Sequence, residues 1–228
     1  MPHGYGRLYN EDGSYYEGCF ENGKAHGPGT EYIIERSTKV KLFVGNFSND
    51  KFEGHGKLFL GTLVRYEGSF REGVYDGVGT LYDSSYKRKI YTGSFEAGQF
   101  HGQGTAFKYD KEDWWISSPK VYEGQWKAGR YHGTVVKYHD KVTLKNVIQF
   151  SGEWKEGFLY GPHNEYSTKG IKILSGTFNE QGRRIGQFVF YNDSKEVARL
   201  QNYEQPDRSA QYGELLRDKF VLKLRKKN

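Results

Sequence analysis

Cysteine, proline and methionine are scarce, at one, five and one among 228 residues. A lone thiol, Cys19, has no intramolecular partner, so stability does not rest on an oxidising compartment. Collagen needs abundant proline and a strict glycine period, and low-complexity disorder lacks aromatics, whereas this chain has 19 Tyr, 15 Phe and 4 Trp. No apolar run approaches the roughly 20 residues of a membrane-crossing helix. The opening Met1-Pro2-His3-Gly4-Tyr5-Gly6 carries neither a signal-peptide core nor an Arg-rich presequence. The chain reads as soluble and intracellular, and its two glycosylation-like triplets, at Asn46 and Asn192, read as chance.

Net charge is nearly absent outside the tail. Of a net +6, residues 217–227 hold +5, from Arg217, Lys219, Lys223, Arg225, Lys226 and Lys227 against Asp218. The remaining +1 supplies no field for neutralising phosphates, which argues against nucleic acid as a partner.

What the chain does have is glycine, 30 residues, arranged in a repeat. Tyr16-x-Gly18-x-Phe20-x-x-Gly23 with Gly27-x-Gly29 returns at Phe43, Tyr66, Tyr91, Tyr122, Phe150 and Leu174, with spacings of 27, 23, 25, 31, 28 and 24 residues. Gly4-Tyr5-Gly6-Arg7-Leu8-Tyr9 reads as the second half of a further copy. Alternation at period 2 puts Tyr16, Gly18 and Phe20 on one face of a strand, and Glu21-Asn22-Gly23-Lys24 is hairpin-turn chemistry. Bare glycine in the second strand predicts close approach by a ring from the neighbouring strand. A lone hairpin is marginal in water, so copies must stabilise one another by stacking.

The unit Tyr-x-Gly-x-Phe/Trp-x-x-Gly-x-x-x-Gly-x-Gly resembles the MORN repeat over about residues 3–192. Two strands per copy give roughly 15 strands, a ribbon about 70 Å long at ~4.8 Å per strand, and the resemblance implies an all-β fold, an elongated, twisted single-layer antiparallel meander. It also implies a scaffold role in cytoskeletal or ciliary structures such as radial spokes, or in holding membranes together. Asp50 stands where a turn Gly is expected, Val135 and His163 replace the second Gly of the pair, and the last copy carries an insertion at Gly182.

Two domains are expected: a ribbon over 1–192 and a tail over 193–228 with a helix capped by Ser194 to about Asn202. A second stretch places Tyr212, Leu216, Phe220 and Leu224 on one helical stripe, although Phe220–Leu224 also alternates as a strand. That stripe reads first as a cap for the last strand, then as a helix for a partner, then as a membrane-surface helix. Insertions collect on the rim of connections between copies, at 33–42, 83–90, 108–121 and 139–149, as tolerated loop growth or as a recognition rim.

Candidate protein-binding residues are Trp114 and Trp115 in the longest connection and the ring stripe Tyr16, Phe20, Tyr66, Phe70, Tyr91, Phe95, Tyr122, Trp126 and Trp154, read as a groove for a peptide or helix of a protein partner. Lys223, Arg225, Lys226 and Lys227 are candidate lipid-binding residues, the basis of an alternative reading as a phosphoinositide-binding or membrane-tethering module. The N-terminal edge strand is a candidate for homo- or hetero-association. His26, His55, His101, His132 and His163 recur two strands apart, about 9–10 Å, too far to share one zinc. No phosphate loop, dinucleotide fingerprint or catalytic constellation occurs, so the reading is non-enzymatic, without cofactor or metal.

Overall fold

The computed structural model describes residues 3–83, 88–108, 119–139 and 146–203. Among the described residues, sixteen antiparallel strands follow chain order in one open sheet. The chain divides into two compact units, Met1–Gly129 and Arg130–Asn228. The first holds β1 (Gly4–Tyr9), β2 (Tyr15–Glu21), β3 (Lys24–Glu35), β4 (Thr38–Ser48) and β5 (Lys51–Leu60). It continues with β6 (Leu63–Arg71), β7 (Val74–Tyr82), β8 (Lys89–Glu96), β9 (Gln99–Phe107) and β10 (Lys120–Lys127). The second holds β11 (Arg130–Tyr138), β12 (Ile148–Lys155), β13 (Phe158–Tyr166), β14 (Lys172–Phe178), β15 (Arg184–Tyr191) and β16 (Val197–Tyr203).

Each copy of the repeat in the first unit is a hairpin of fixed register. In the third, Gly68 faces Gly79 and Phe70 faces Tyr75, with a register shift between them. Gly77 takes φ +98° at that shift, a conformation a side chain would strain. The turn residues Glu72 and Gly73 have φ of +51° and +85°. Two positive values in a two-residue hairpin match the right-handed twist of the strands, which is why glycine recurs there.

Two kinds of bond key one copy to the next. Along the turn rim, the Gly73 amide donates to the Phe52 carbonyl at 2.9 Å, Gly98 to Tyr75 at 2.8 Å and Gly129 to Phe100 at 2.9 Å. On the ring face, the first aromatic of each copy meets the second aromatic of the next edge-on. Centroids lie 4.7 Å apart for Tyr16–Phe47, 5.0 Å for Phe43–Phe70, 5.1 Å for Tyr66–Phe95 and 5.6 Å for Tyr91–Trp126. These edge-to-face pairs add to the burial of large apolar area.

Asp50 shows how a departure from the repeat is accommodated. It adopts φ +68° without being glycine, its amide donates to the Ala25 carbonyl, and its Oδ1 accepts from the Ala25 amide at 2.7 Å. Asp tolerates this region better than most residues, and the side-chain bond compensates the strain. Asp50→Ala should therefore lose about 2 kcal/mol in urea unfolding, while Asp50→Gly stays within ~0.5 kcal/mol of the parent.

Two expectations are corrected. The helix read over 194–202 is instead strand β16, which pairs Tyr203 with Gly186 and Leu200 with Val189. The edge of β15 gains backbone hydrogen bonds from a strand, and pairing overrides the local helical preference. The insertion at 33–42 lengthens the β3–β4 hairpin, pairing Ile33 with Val40 and Glu35 with Thr38. The later stretch of the tail, residues 204–228, lies outside the described residues.

Candidate functional site

The ring face is built first from glycine. Tyr66 lies over Gly68 and Gly79, and Tyr91 over Gly93 and Gly104; a Cβ at Gly104 would sit 2.5 Å from Tyr91 Cε2. Bare backbone thus forms the floor on which each ring lies. Tyr91 stacks on Phe100 at 3.8 Å and Tyr66 on Tyr75 at 3.9 Å. Each phenol reaches past its glycine and donates to the carbonyl three residues on, Tyr66 to Ser69 at 3.0 Å and Tyr91 to Ser94 at 3.1 Å.

Of the residues read as a protein-binding groove, Tyr16, Phe20, Tyr66, Phe70, Tyr91, Phe95, Trp126 and Trp154 are all buried. Their surface is taken up by packing against glycine and one another, so they form a closed layer in the free chain. Tyr122 is half-buried. Trp114, Trp115, Lys223, Arg225, Lys226 and Lys227 lie outside the described residues.

The second unit builds the same layer differently. His163 replaces a glycine, and its Nδ1 is 2.7 Å from where a Cβ of Gly152 would stand. Phe188 likewise covers Gly176. Here the ring comes from the second strand of the hairpin rather than the first. His163 Nε2 lies 3.4 Å from Glu165, whose carboxyl is held below the usual range chiefly by that hydrogen bond. Elsewhere, histidines pair singly with turn carboxylates, His26 with Glu21 at 3.4 Å and His101 with Glu96 at 2.7 Å. Among the described residues, no group of three or more His, Cys, Asp or Glu is placed to hold a metal.

Burial raises the buried phenols. Tyr16 and Tyr75 are pushed up to about 12, and Tyr66 and Tyr91 higher still. A folded-state pKa above the unfolded value near 10 means the native state holds its proton longer. That stability is complete below pH ~10 and is lost as pH rises through the folded values. Urea midpoints should be flat from pH 7 to 9.5 and fall steeply from about 10 to 12. Tyr66→Phe with Tyr91→Phe should flatten that fall, and an unchanged profile would contradict the assignment.

With the ring face closed, chemistry remains at the connection rim. Gly13 lies 3.5 Å from Ile34 and Gly61 3.9 Å from Glu35, measured from an added Cβ, so the first three connections stand in a row. On the second and third of these connections Ile34 and Leu60 are 42 % and 49 % exposed. Beside them Tyr9, Tyr15 and Tyr32 form a ladder, at centroid distances of 5.0 and 4.5 Å, on the face opposite the buried rings. The Lys39 ammonium lies 5.6 and 5.3 Å from the Tyr15 and Tyr32 rings. Sequence reading missed this ladder. Its signal was an aromatic immediately preceding or following the repeat pattern, at Tyr9, Tyr15 and Tyr32.

Glycine-floored hairpins, keyed turn to turn, define a β-hairpin repeat protein. The MORN repeat family model matches residues 1–15, 16–33, 43–60, 66–88, 91–109 and 122–134, and the chain belongs to the MORN-repeat family. The matched segments stop before the copies in which the second strand supplies the ring. The family is a non-enzymatic repeat fold whose members commonly serve as protein- or membrane-lipid-interaction modules. No curated protein matches the chain.

Proposed function

We propose that the protein is a non-catalytic scaffold that binds other proteins of a multi-subunit assembly through its connection rim. The observation that supports this is the pair of exposed apolar side chains, Ile34 and Leu60, on two adjacent connections. Exposed apolar residues gathered on one rim favour a protein partner, and the Lys39 ammonium over the Tyr15 and Tyr32 rings supplies a polar border. The setting proposed is intracellular, in the cytoskeleton or a cilium, by analogy with axonemal and radial-spoke scaffolds built on this repeat. That step argues function from fold.

The test is purification of tagged protein from its native cell beside the double variant Ile34→Asp with Leu60→Asp. The wild type should recover stoichiometric protein, and the double variant should lose it while its free energy of unfolding in urea shifts by no more than ~0.5 kcal/mol per site. Equal recovery by both removes the rim from the account. Recovery of lipid alone, with flotation on phosphoinositide vesicles, replaces the scaffold with a membrane module.

A further inference from the structure

β1 has the sequence and backbone of an interior strand, yet β2 is its only partner among the described residues. Gly4-Tyr5-Gly6-Arg7-Leu8 corresponds to Gly77-Val78-Gly79-Thr80-Leu81 of β7. In β7 the φ of Gly77 is +98°, matching the register shift toward β6. Gly4 holds φ +90° with no strand on that side among the described residues. Leu81, enclosed between Tyr66 and Tyr91, is 2 % exposed, whereas Leu8 is 51 % exposed.

The glycine floor makes the same point. Gly79 lies directly beneath Tyr66, and a Cβ there has no room. A Cβ on Gly6 would meet nothing closer than Phe20, at 3.7 Å, an ordinary contact. The φ of Gly6 lies outside the left-handed range, so neither its own packing nor its own backbone requires glycine there.

Charge adds a second specification. In β7 the residue in Arg7's place, Thr80, faces Glu67 of β6, on the side that is open in β1. The exposed Arg7, which already pairs with Glu17 on β2, therefore suits an acidic residue on that open side as well.

We infer that the outer edge of β1 receives an extended segment of a different polypeptide, of sequence aromatic-acidic-Gly, whose ring lies over Gly6 and against Leu8. This rests on the scaffold reading above and supplies a chemistry for one partner. Main-chain bonds to the edge strand would give affinity, and the glycine floor would give specificity. A second copy of the chain fits poorly. The other edge strand among the described residues, β16, places Gln201 where the repeat has glycine, by its pairing with Phe188. The aromatic-x-Gly strands β2, β4, β6 and β8 are already paired on both sides.

The probe is a fluorescent, end-blocked peptide with the sequence of residues 63–71, Leu-Val-Arg-Tyr-Glu-Gly-Ser-Phe-Arg, titrated into the whole chain. Saturable binding is expected, with slowed amide exchange confined to Gly4–Tyr9. Gly6→Ala should bind at least tenfold more weakly while melting with the parent, and a peptide with valine for its central glycine should bind the wild type at least tenfold more weakly. Absence of saturable binding, or equal binding by Gly6→Ala, overturns the inference. So does concentration-dependent dimerisation of the wild type that Gly6→Ala abolishes, since the occupant would then be a second copy. If Gly6→Ala fails in none of these assays but rim variants still lose native partners, the edge site falls and the scaffold stands. If wild-type protein recovers no protein partner while peptide binding holds, the scaffold falls and the edge site stands.

Discussion

Gly104→Ala is expected to lower the free energy of unfolding by about 3 kcal/mol, at the upper end of overpacking costs. The added methyl would fall on the Tyr91 ring, 2.5 Å from Cε2. That ring cannot swing away. It is fully buried, stacked on Phe100 at 3.8 Å, and met edge-on by Trp126 at 5.6 Å. The opposing backbone is equally close, since a Cβ on Gly93 would stand 2.5 Å from the Gly104 Cα. Either the ring leaves or the β8–β9 pairing opens. Urea unfolding measures the loss, and Gly6→Ala, where the same methyl has space, is the matched control.

Tyr91→Ala removes the ring and leaves the floor, and should cost about 3–5 kcal/mol, as for other large aromatic truncations. The loss combines three contacts: the stack on Phe100, the edge contacts with Phe95 and Trp126, and the cover over Gly93 and Gly104. Tyr91→Phe keeps all three and forfeits the bond to the Ser94 carbonyl, a loss of about 1 kcal/mol. Phe43 already holds the equivalent place over Gly45 and Gly56, so a phenyl ring fits. In a repeat stack stability is roughly a sum over neighbouring interfaces, so damage at Tyr91 should be felt in β8–β10 first.

Much of this architecture is legible in the sequence because glycine and the aromatics are constrained together. Tyr-x-Gly-x-Phe predicts a ring and a bare patch on one face, and the turn Asn22-Gly23 predicts the positive φ values of +53° and +82°. The copy starts coincide with β2, β4, β6, β8, β10, β12 and β14. Asp50 was legible as a departure but not as a bond, because its partner Ala25 is 25 residues away.

The second unit was less legible. A glycine-to-His163 change reads as a lost floor tile, whereas the imidazole itself takes the ring's place over Gly152. The same exchange at Phe188 lies in the copy with the insertion, where the pattern slips. β16 was missed because Val197-Ala-Arg-Leu-Gln-Asn-Tyr203 lacks the repeat's glycine, and only the open edge of β15 makes it a strand. The functional surface was harder still. The rings most easily read as binding groups are buried, and the exposed Ile34 and Leu60 carry no motif. They stand on neighbouring connections only because the copies stack.

The central claim is that turn glycines and covering rings lock each copy to the next. Amide hydrogen exchange resolved to single residues tests it most directly. The amides of Gly73, Gly98 and Gly129 sit in two-residue turns, where exchange is ordinarily fast, yet each donates to the preceding copy. They should exchange as slowly as the strand amides beside Tyr66 and Tyr91, and in Gly104→Ala the amides of Gly98 and Gly129 should speed up while that of Gly23 does not change. Rapid exchange of those glycines in the parent, as in free hairpin turns, would contradict the account.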